Sequence, residues 1–471
     1  MKIAISEFLS DCKPLLHKLV KKLSESYGYV SVLGTDTSGK VYQVSKTGDE
    51  VSDYMFTERG FVVRIHNGIN YSEYSFNEIS EGKLDSIIED IRLKLNKVSD
   101  GITVNSYQVI EEEKIRKSFF SEAAINPGEI SPEHILKDIA DIRDAALARS
   151  ELVVNVYVSY RYQHVSKIFI SNHKELEQSY LLGEGYLNSV ARRDDKVKYD
   201  YLSFSGMKGY EVLDEMRNQY QEVVDLSIKL LDAKPVVPGE YDVICSPDIA
   251  GLIAHEAFGH GVEMDMFVKR RAKGAEYIGK QVASMKTTMH EGAAATKHIS
   301  SYLFDDEGTL GTDTVVIKNG ILQTGISDLL SALTLGTTPT GNGKRESYER
   351  KAYARMTNTF FEAGTDTVED MVASIKHGYL IDVMNSGMED PKNWGIQCIA
   401  LYGKEIVDGK FTGNLISPVL MTGFVPDVLK SISMLSDQVE LNGAGYCGKG
   451  HKEFVKTANG GPFIKAKVRL G

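Results

Sequence analysis

Apolar positions along this chain switch repeatedly between helical and strand-like spacing. Phe8, Leu15, Leu16, Leu19 and Val20 share one side of a helix predicted over 6–27. Apolar–polar alternation follows over 29–51 and 60–76. The turn signals Thr37-Ser38-Gly39 and Asn67-Gly68 predict hairpins there. Helical spacing returns over 84–95 and over 132–148, where Ile135, Ile139, Ile142 and Ala146 are in phase. A Val- and Tyr-rich alternation over 152–170 predicts sheet, and 209–231 predicts a long helix.

The segment 233–239, AKPVVPG, breaks this pattern with two prolines. It divides the expected domains: an N-terminal α+β unit over 1–232 and a C-terminal unit over 240–471. Beyond it the pattern is mostly β. Asn319-Gly320 and Asp408-Gly409 are two-residue hairpin signals flanked by alternating apolar positions. The mix of hairpins and helices predicts an α+β fold: a mixed helix and antiparallel-sheet domain, then a mostly β domain.

One helix in the second unit carries the chemistry. Ser246 is a good N-cap, Pro247 suits the first helical position, and Asp248 puts a negative charge in the first turn. Ile249, Leu252, Ile253 and Ala257 then form an apolar run that holds His255, Glu256 and His260. Histidine supplies only 11 of 471 residues, so two of them around a Glu in one apolar helix stand out. Imidazole is a good zinc ligand, and a carboxylate beside the metal can take a proton from water. The first reading is therefore metal-assisted hydrolysis.

The spacing is unusual. In HExxH zinc sites the histidines are four apart and share a face. Here they are five apart, about 140° of rotation in a regular helix. A π-type turn would bring both onto one face, and the small residues Ala257 and Gly259 leave room for it. The alternative pairs Glu256 with His260, four apart, and leaves His255 outside. A third ligand must come from elsewhere. Cys447, in the Gly-rich run 443–454, is the best candidate, with Lys449 placed to hold its thiolate; His451 is the runner-up. The plain reading of Cys447 is a small buried thiol.

HEAFGHGVEMD at 255–265, RMTNT at 355–359 and GYCGKGHK at 445–452 together resemble the TldD/PmbA metallopeptidases. Residues 60–65, 305–309 and 340–345 extend the resemblance, and the three motifs stand in the family's order. The resemblance implies a zinc site of His255, His260 and Cys447, with Glu256 as general base, as in the family's catalytic TldD-like subunits. It also implies a dimer: a homodimer, or a heterodimer with a metal-free PmbA-like subunit, enclosing a cavity for unstructured peptides. Many relatives have Gln where this chain has His451.

Composition changes the picture at two points. Net charge is 54 − 65 = −11 with no long basic run. That argues against direct nucleic-acid contact, although the family is also labelled a modulator of DNA gyrase. Four scattered cysteines, no secretory pattern and no uninterrupted apolar span predict a cytoplasmic protein away from the membrane. The loop 336–355 is Gly/Thr-rich and then charged; it reads either as a solvated surface loop or as a lid, with Arg345, Arg355 and His451 as candidate substrate contacts. Two rival functions remain open: a non-catalytic partner-binding subunit, and a thiol hydrolase using Cys447 with His451.

Overall fold

Long antiparallel strands organise the first half of the chain. The computed structural model describes residues 1–95, 105–450 and 452–471. Its first sheet holds β1 (Tyr29–Ser45), β2 (Gly48–Asp53), β3 (Glu58–His66), β4 (Tyr71–Phe76), β5 (Ile115–Phe120), β6 (Val153–Ser171), β7 (Lys174–Arg193) and β8 (Lys196–Gly206). The order is β4-β3-β1-β6-β7-β5, with β2 also on β1 and β8 also on β7. Helices α1 (Glu7–Ser24) and α2 (Leu84–Leu95) pack with β1, β3 and β6 through Leu16, Leu19, Ile88 and Phe61. Helices α3 (Pro132–Leu147) and α4 (Val212–Lys229) share a second core with the same sheet through Ile139, Leu213, Met216 and Tyr160.

One expected hairpin is absent. Thr37-Ser38-Gly39 does not turn; β1 runs straight through it and reverses only after Ser45. Gly39 serves close packing instead, because a Cβ there would lie 2.1 Å from the Tyr162 carbonyl oxygen on β6. The other three turn signals hold. Asn67-Gly68 joins β3 to β4. Asn319-Gly320 and Asp408-Gly409 each adopt the paired left-handed conformations of a type I′ turn.

The second half is an α+β body built around one helix. Strand β9 (Gly239–Cys245) pairs with His377–Asp390 on one side and Ile464–Leu470 on the other. Val419–Phe424 and Gly395–Val407 continue the sheet, and Gly395–Val407 pairs back onto His377–Asp390, closing five strands into a ring. A second sheet of six short strands includes Asn358–Phe361, Ala458–Gly461 and Glu440–Asn442. Helix α5 (Pro247–Ile253) lies between ring and sheet, with Ile249, Ala250, Gly251, Leu252 and Ile253 all buried.

Ion pairs join the halves. Arg64 of β3, 5% exposed, bonds both Glu73 and Glu307, while Lys167 of β6 pairs with Asp306. The motif segments at 60–65 and 305–309 therefore meet across the junction.

Packing of α5 on the small sheet is limited by Gly251. A Cβ at that position would lie 2.5 Å from the Gly460 nitrogen, a backbone atom that cannot swing away. Gly251→Ala should therefore destabilise the fold by about 1–3 kcal/mol, although alanine is the better helix former. An unchanged denaturation midpoint would refute this packing argument.

Candidate metal centre

Helix α5 begins as its sequence implies: the Ser246 hydroxyl accepts from the Ile249 amide, and Asp248 lies in the first turn. The helix then widens. Residues Ala254–Gly259 form a π-helix, and the His260 amide bonds the His255 carbonyl, five residues back. The extra residue per turn puts the two rings side by side, their centroids 5.2 Å apart and nearly perpendicular.

Cys447 arrives from the far end of the chain on a hairpin of Tyr446–Lys449 and Lys452–Lys456. Its Sγ lies 3.3 Å from His260 Nε2. Nitrogen atoms of His255 and His260 and the Cys447 sulfur all fall within 4.8 Å of one another. Ligand atoms around one tetrahedral zinc stand about 3.5 Å apart, so the donor set fits that ion in type and spread. The buried His255 Nδ1 has no hydrogen-bond partner among the described residues, as a ring nitrogen kept for a metal would not. Glu256 is outside the triangle. It is half-buried beside Gly387, where a Cβ would lie 2.6 Å from Glu256 Cγ and 2.9 Å from Oε1. The absent side chain at Gly387 makes the room for Glu256.

A charged layer holds the triangle from behind. Glu263 is 1% exposed and faces three cationic or polar groups: His260 Nδ1 at 3.3 Å, Arg355 Nε at 3.3 Å and Lys449 Nζ at 3.0 Å. Burial acts to raise its pKa, but Lys449, His260 and Arg355 outweigh that and hold it well below the usual carboxylate range. By accepting from Nδ1, Glu263 leaves His260 Nε2 to face Cys447. Arg355 Nη2 donates to the Cys447 carbonyl at 2.8 Å and to its sulfur at 3.1 Å. Burial opposes the Cys447 thiolate, yet His255 and His260 pull the thiol well below its ordinary pKa.

The structure gives several sequence candidates other partners. Arg355 is fully buried against Glu263 and Cys447. Arg345 is tied to Glu73 and to the Arg350 carbonyl. Lys449 serves Glu263 and Asp265, and Arg355 is the cation that touches the sulfur. His451 lies outside the described residues. One residue escaped sequence reasoning altogether. Glu389 has both carboxyl oxygens shut from solvent without a hydrogen-bond partner among the described residues, and a Cβ on Gly261 would sit 3.0 Å from its Oε1. Burial drives its pKa well above the usual range; Glu256, Glu263 and Asp390 add to this while His260 opposes it. It sits in an ordinary alternating strand, which carries no signal of its position.

Comparison with known proteins agrees with this architecture. Residues 238–461 match the PmbA/TldA metallopeptidase C-terminal domain. A metalloprotease of Methanocaldococcus jannaschii is 27% identical over 86% of this chain and 89% of its own length. A zinc metalloprotease TldD homolog of Saccharolobus solfataricus is 27% identical over 66% of this chain and 70% of its own. Among solved structures, a proposed DNA gyrase modulator from Thermotoga maritima superposes with a TM-score of 0.77 at 17% identity, over 98% of this chain and 100% of that one. TldE from Thermococcus kodakarensis superposes at 0.73 with 18% identity, over 97% and 100%. Sequence motifs, domain match and fold thus converge on the PmbA/TldD metallopeptidases, whose C-terminal domain is matched by residues 238–461 of this chain.

Proposed function

We propose that this chain is a zinc-dependent peptidase of the TldD-like, catalytic kind. The observation that carries the reading is the donor triangle of His255, His260 and Cys447, completed by a π turn and backed by a buried carboxylate. His255, His260 and Cys447 would hold the ion. Zinc bound there supplies Lewis acidity, polarising a scissile carbonyl and acidifying a water. Glu256 is the general base: it takes a proton from the attacking water and returns it to the leaving amine. Glu263 and Arg355 orient His260 and Cys447 without touching substrate.

The substrate in this reading is an unstructured peptide. The partner is a second copy or a metal-free PmbA-like subunit, in keeping with the likeness to a TldE structure. Residues 1–232 form the N-terminal unit and 240–471 the peptidase unit. No helix among the described residues is long and apolar enough to cross a membrane; the cytoplasmic location in this reading rests on the four scattered cysteines. A second reading rests on one contact. Cys447 Sγ at 3.3 Å from His260 Nε2, with Glu263 behind that ring, is also the layout of a thiol nucleophile with its base.

Metal content separates the two readings. Protein purified without added metal should carry about one zinc per chain, lost in Cys447→Ser and in His260→Ala. A peptidase active without zinc and resistant to chelators would instead establish the thiol reading. Glu256→Gln should keep zinc while kcat on an unstructured peptide falls about 10²–10⁴-fold; wild-type turnover in that variant would remove Glu256 from the mechanism. Glu263→Gln should weaken zinc binding about 10–100-fold in a chelator competition. It should also cost about 3–5 kcal/mol of stability, since Lys449 and Arg355 lose their shared buried counter-ion. A variant with wild-type zinc affinity would show that His260 needs no support from Glu263.

A further inference from the structure

A second site lies away from the metal centre, where the two halves of the chain meet. A cavity of about 800 Å³ opens between α4 and β8 on one side and His377–Asp390, Gly395–Val407 and Lys410–Ile416 on the other. That size suits a small organic ligand. Its floor includes Asp200, Asp382, Val383 and Tyr402; its rim carries Glu222, Asp225 and Phe411.

Lys229, Lys234 and Lys404 also line the cavity, yet none of them forms an ion pair with Asp200 or Asp382 among the described residues. Asp200 is 2% exposed, and its Oδ1 has no hydrogen-bond partner among the described residues. Asp382 stands close by, with one oxygen accepting from the Val383 amide at 2.9 Å and the other from the Tyr402 hydroxyl at 2.8 Å. On the rim, Asp225 is neutralised by Arg149 and Asp232 by Arg193. Among the described residues no such ion pair reaches Asp200. Burial, with Asp382 adding to it, pushes Asp200 up to about 8, and the Tyr201 amide and Lys404 do not offset this. An unpartnered carboxyl oxygen at the bottom of a ligand-sized cavity needs a donor.

The chemistry of that donor can be narrowed. A hard metal ion wants several converging oxygens. Among the described residues only His255, His260 and Cys447 bring three metal-ligating atoms together, so Asp200 and Asp382 lack a third. An organic cation needs no such cage: it satisfies a carboxylate pair with N–H donors and lays its carbon stem on apolar and aromatic walls. Leu202, Val383, Tyr402 and the 48% exposed Phe411 supply those walls.

We propose that this interdomain cavity binds an organic cation, an alkylammonium or guanidinium group, with Asp200 and Asp382 as its counter-ions. The group comes either from a free polyamine or from a Lys or Arg side chain of a peptide. The site is separate from the donor triangle and does not depend on the peptidase reading.

Calorimetric titration of the full-length protein tests this, with spermidine as the polyamine probe, N-acetyl-arginine amide as the side-chain probe and magnesium chloride as the control. At least one organic probe should bind with a single site, and magnesium should not displace it. Spermidine binding alone assigns a free polyamine, and arginine-amide binding alone assigns a peptide side chain. Asp200→Asn is nearly isosteric and should weaken binding about tenfold or more. Glu222→Lys changes only an exposed residue of α4 and should weaken it too, which keeps the test valid if the buried variant misfolds. The proposal is overturned if neither probe binds at millimolar concentration, if magnesium competes, or if both folded variants bind as wild type does.

Discussion

The two histidines of the donor triangle stand five positions apart, and a regular helix would turn them about 140° from each other. Everything at this centre depends on removing that angle. The π turn over Ala254–Gly259 does so by sending the His260 amide to the His255 carbonyl. A widened turn needs space, and the surroundings are cut to supply it. Gly259 has no Cβ, where one would collide with the Met356 sulfur, and Gly251 lets the preceding turns rest directly on the backbone of Ala458–Gly461. The helix is buried between a strand ring and a second sheet, so neighbours on several sides maintain a conformation that is rare in isolation.

Charge is the second constraint. A thiolate, two imidazoles and several carboxylates share a space largely closed to water. Such a group is stable only if each charge has a partner. Glu263 is the centre of that arrangement, since His260, Arg355 and Lys449 all converge on it. Arg355 spans from Glu263 to the Cys447 sulfur, so the helix, the RMTNT strand and the C-terminal hairpin are joined by one guanidinium. Three motifs far apart in sequence thus form one polar network. Glu389 lies beside this network on the strand ring without a hydrogen-bond partner among the described residues, and Gly387, two positions before it, makes room for Glu256.

Local chemistry was readable from the chain wherever a residue acts within a few positions of itself. The Ser246 cap, the type I′ turns at Asn319-Gly320 and Asp408-Gly409, and the need for a π turn all follow from spacing and backbone preference. Misreadings occurred where a long-range neighbour decides. Gly39 has the composition of a turn, but the Tyr162 carbonyl on β6 needs the space. Lys449 stands two residues from Cys447 and looked like its cation. The buried carboxylates of Glu263 and Asp265 claim it, and Arg355, 92 positions away, reaches the sulfur.

The sequence by itself determined the α+β class and the helix that carries His255, Glu256 and His260, while Cys447 was singled out only through the motifs that resemble the family's. These rest on periodicity, capping and residue chemistry, which act locally and survive in one dimension. Only the tertiary structure decided which cation meets which anion, that Arg355 and Arg345 are bound inside the protein, and that Glu389 stands beside the donor triangle. It also decided that Asp200 and Asp382 share the floor of a cavity. Those facts depend on how strands from opposite ends of the chain are brought into register, and buried electrostatics follow from that geometry rather than from sequence spacing.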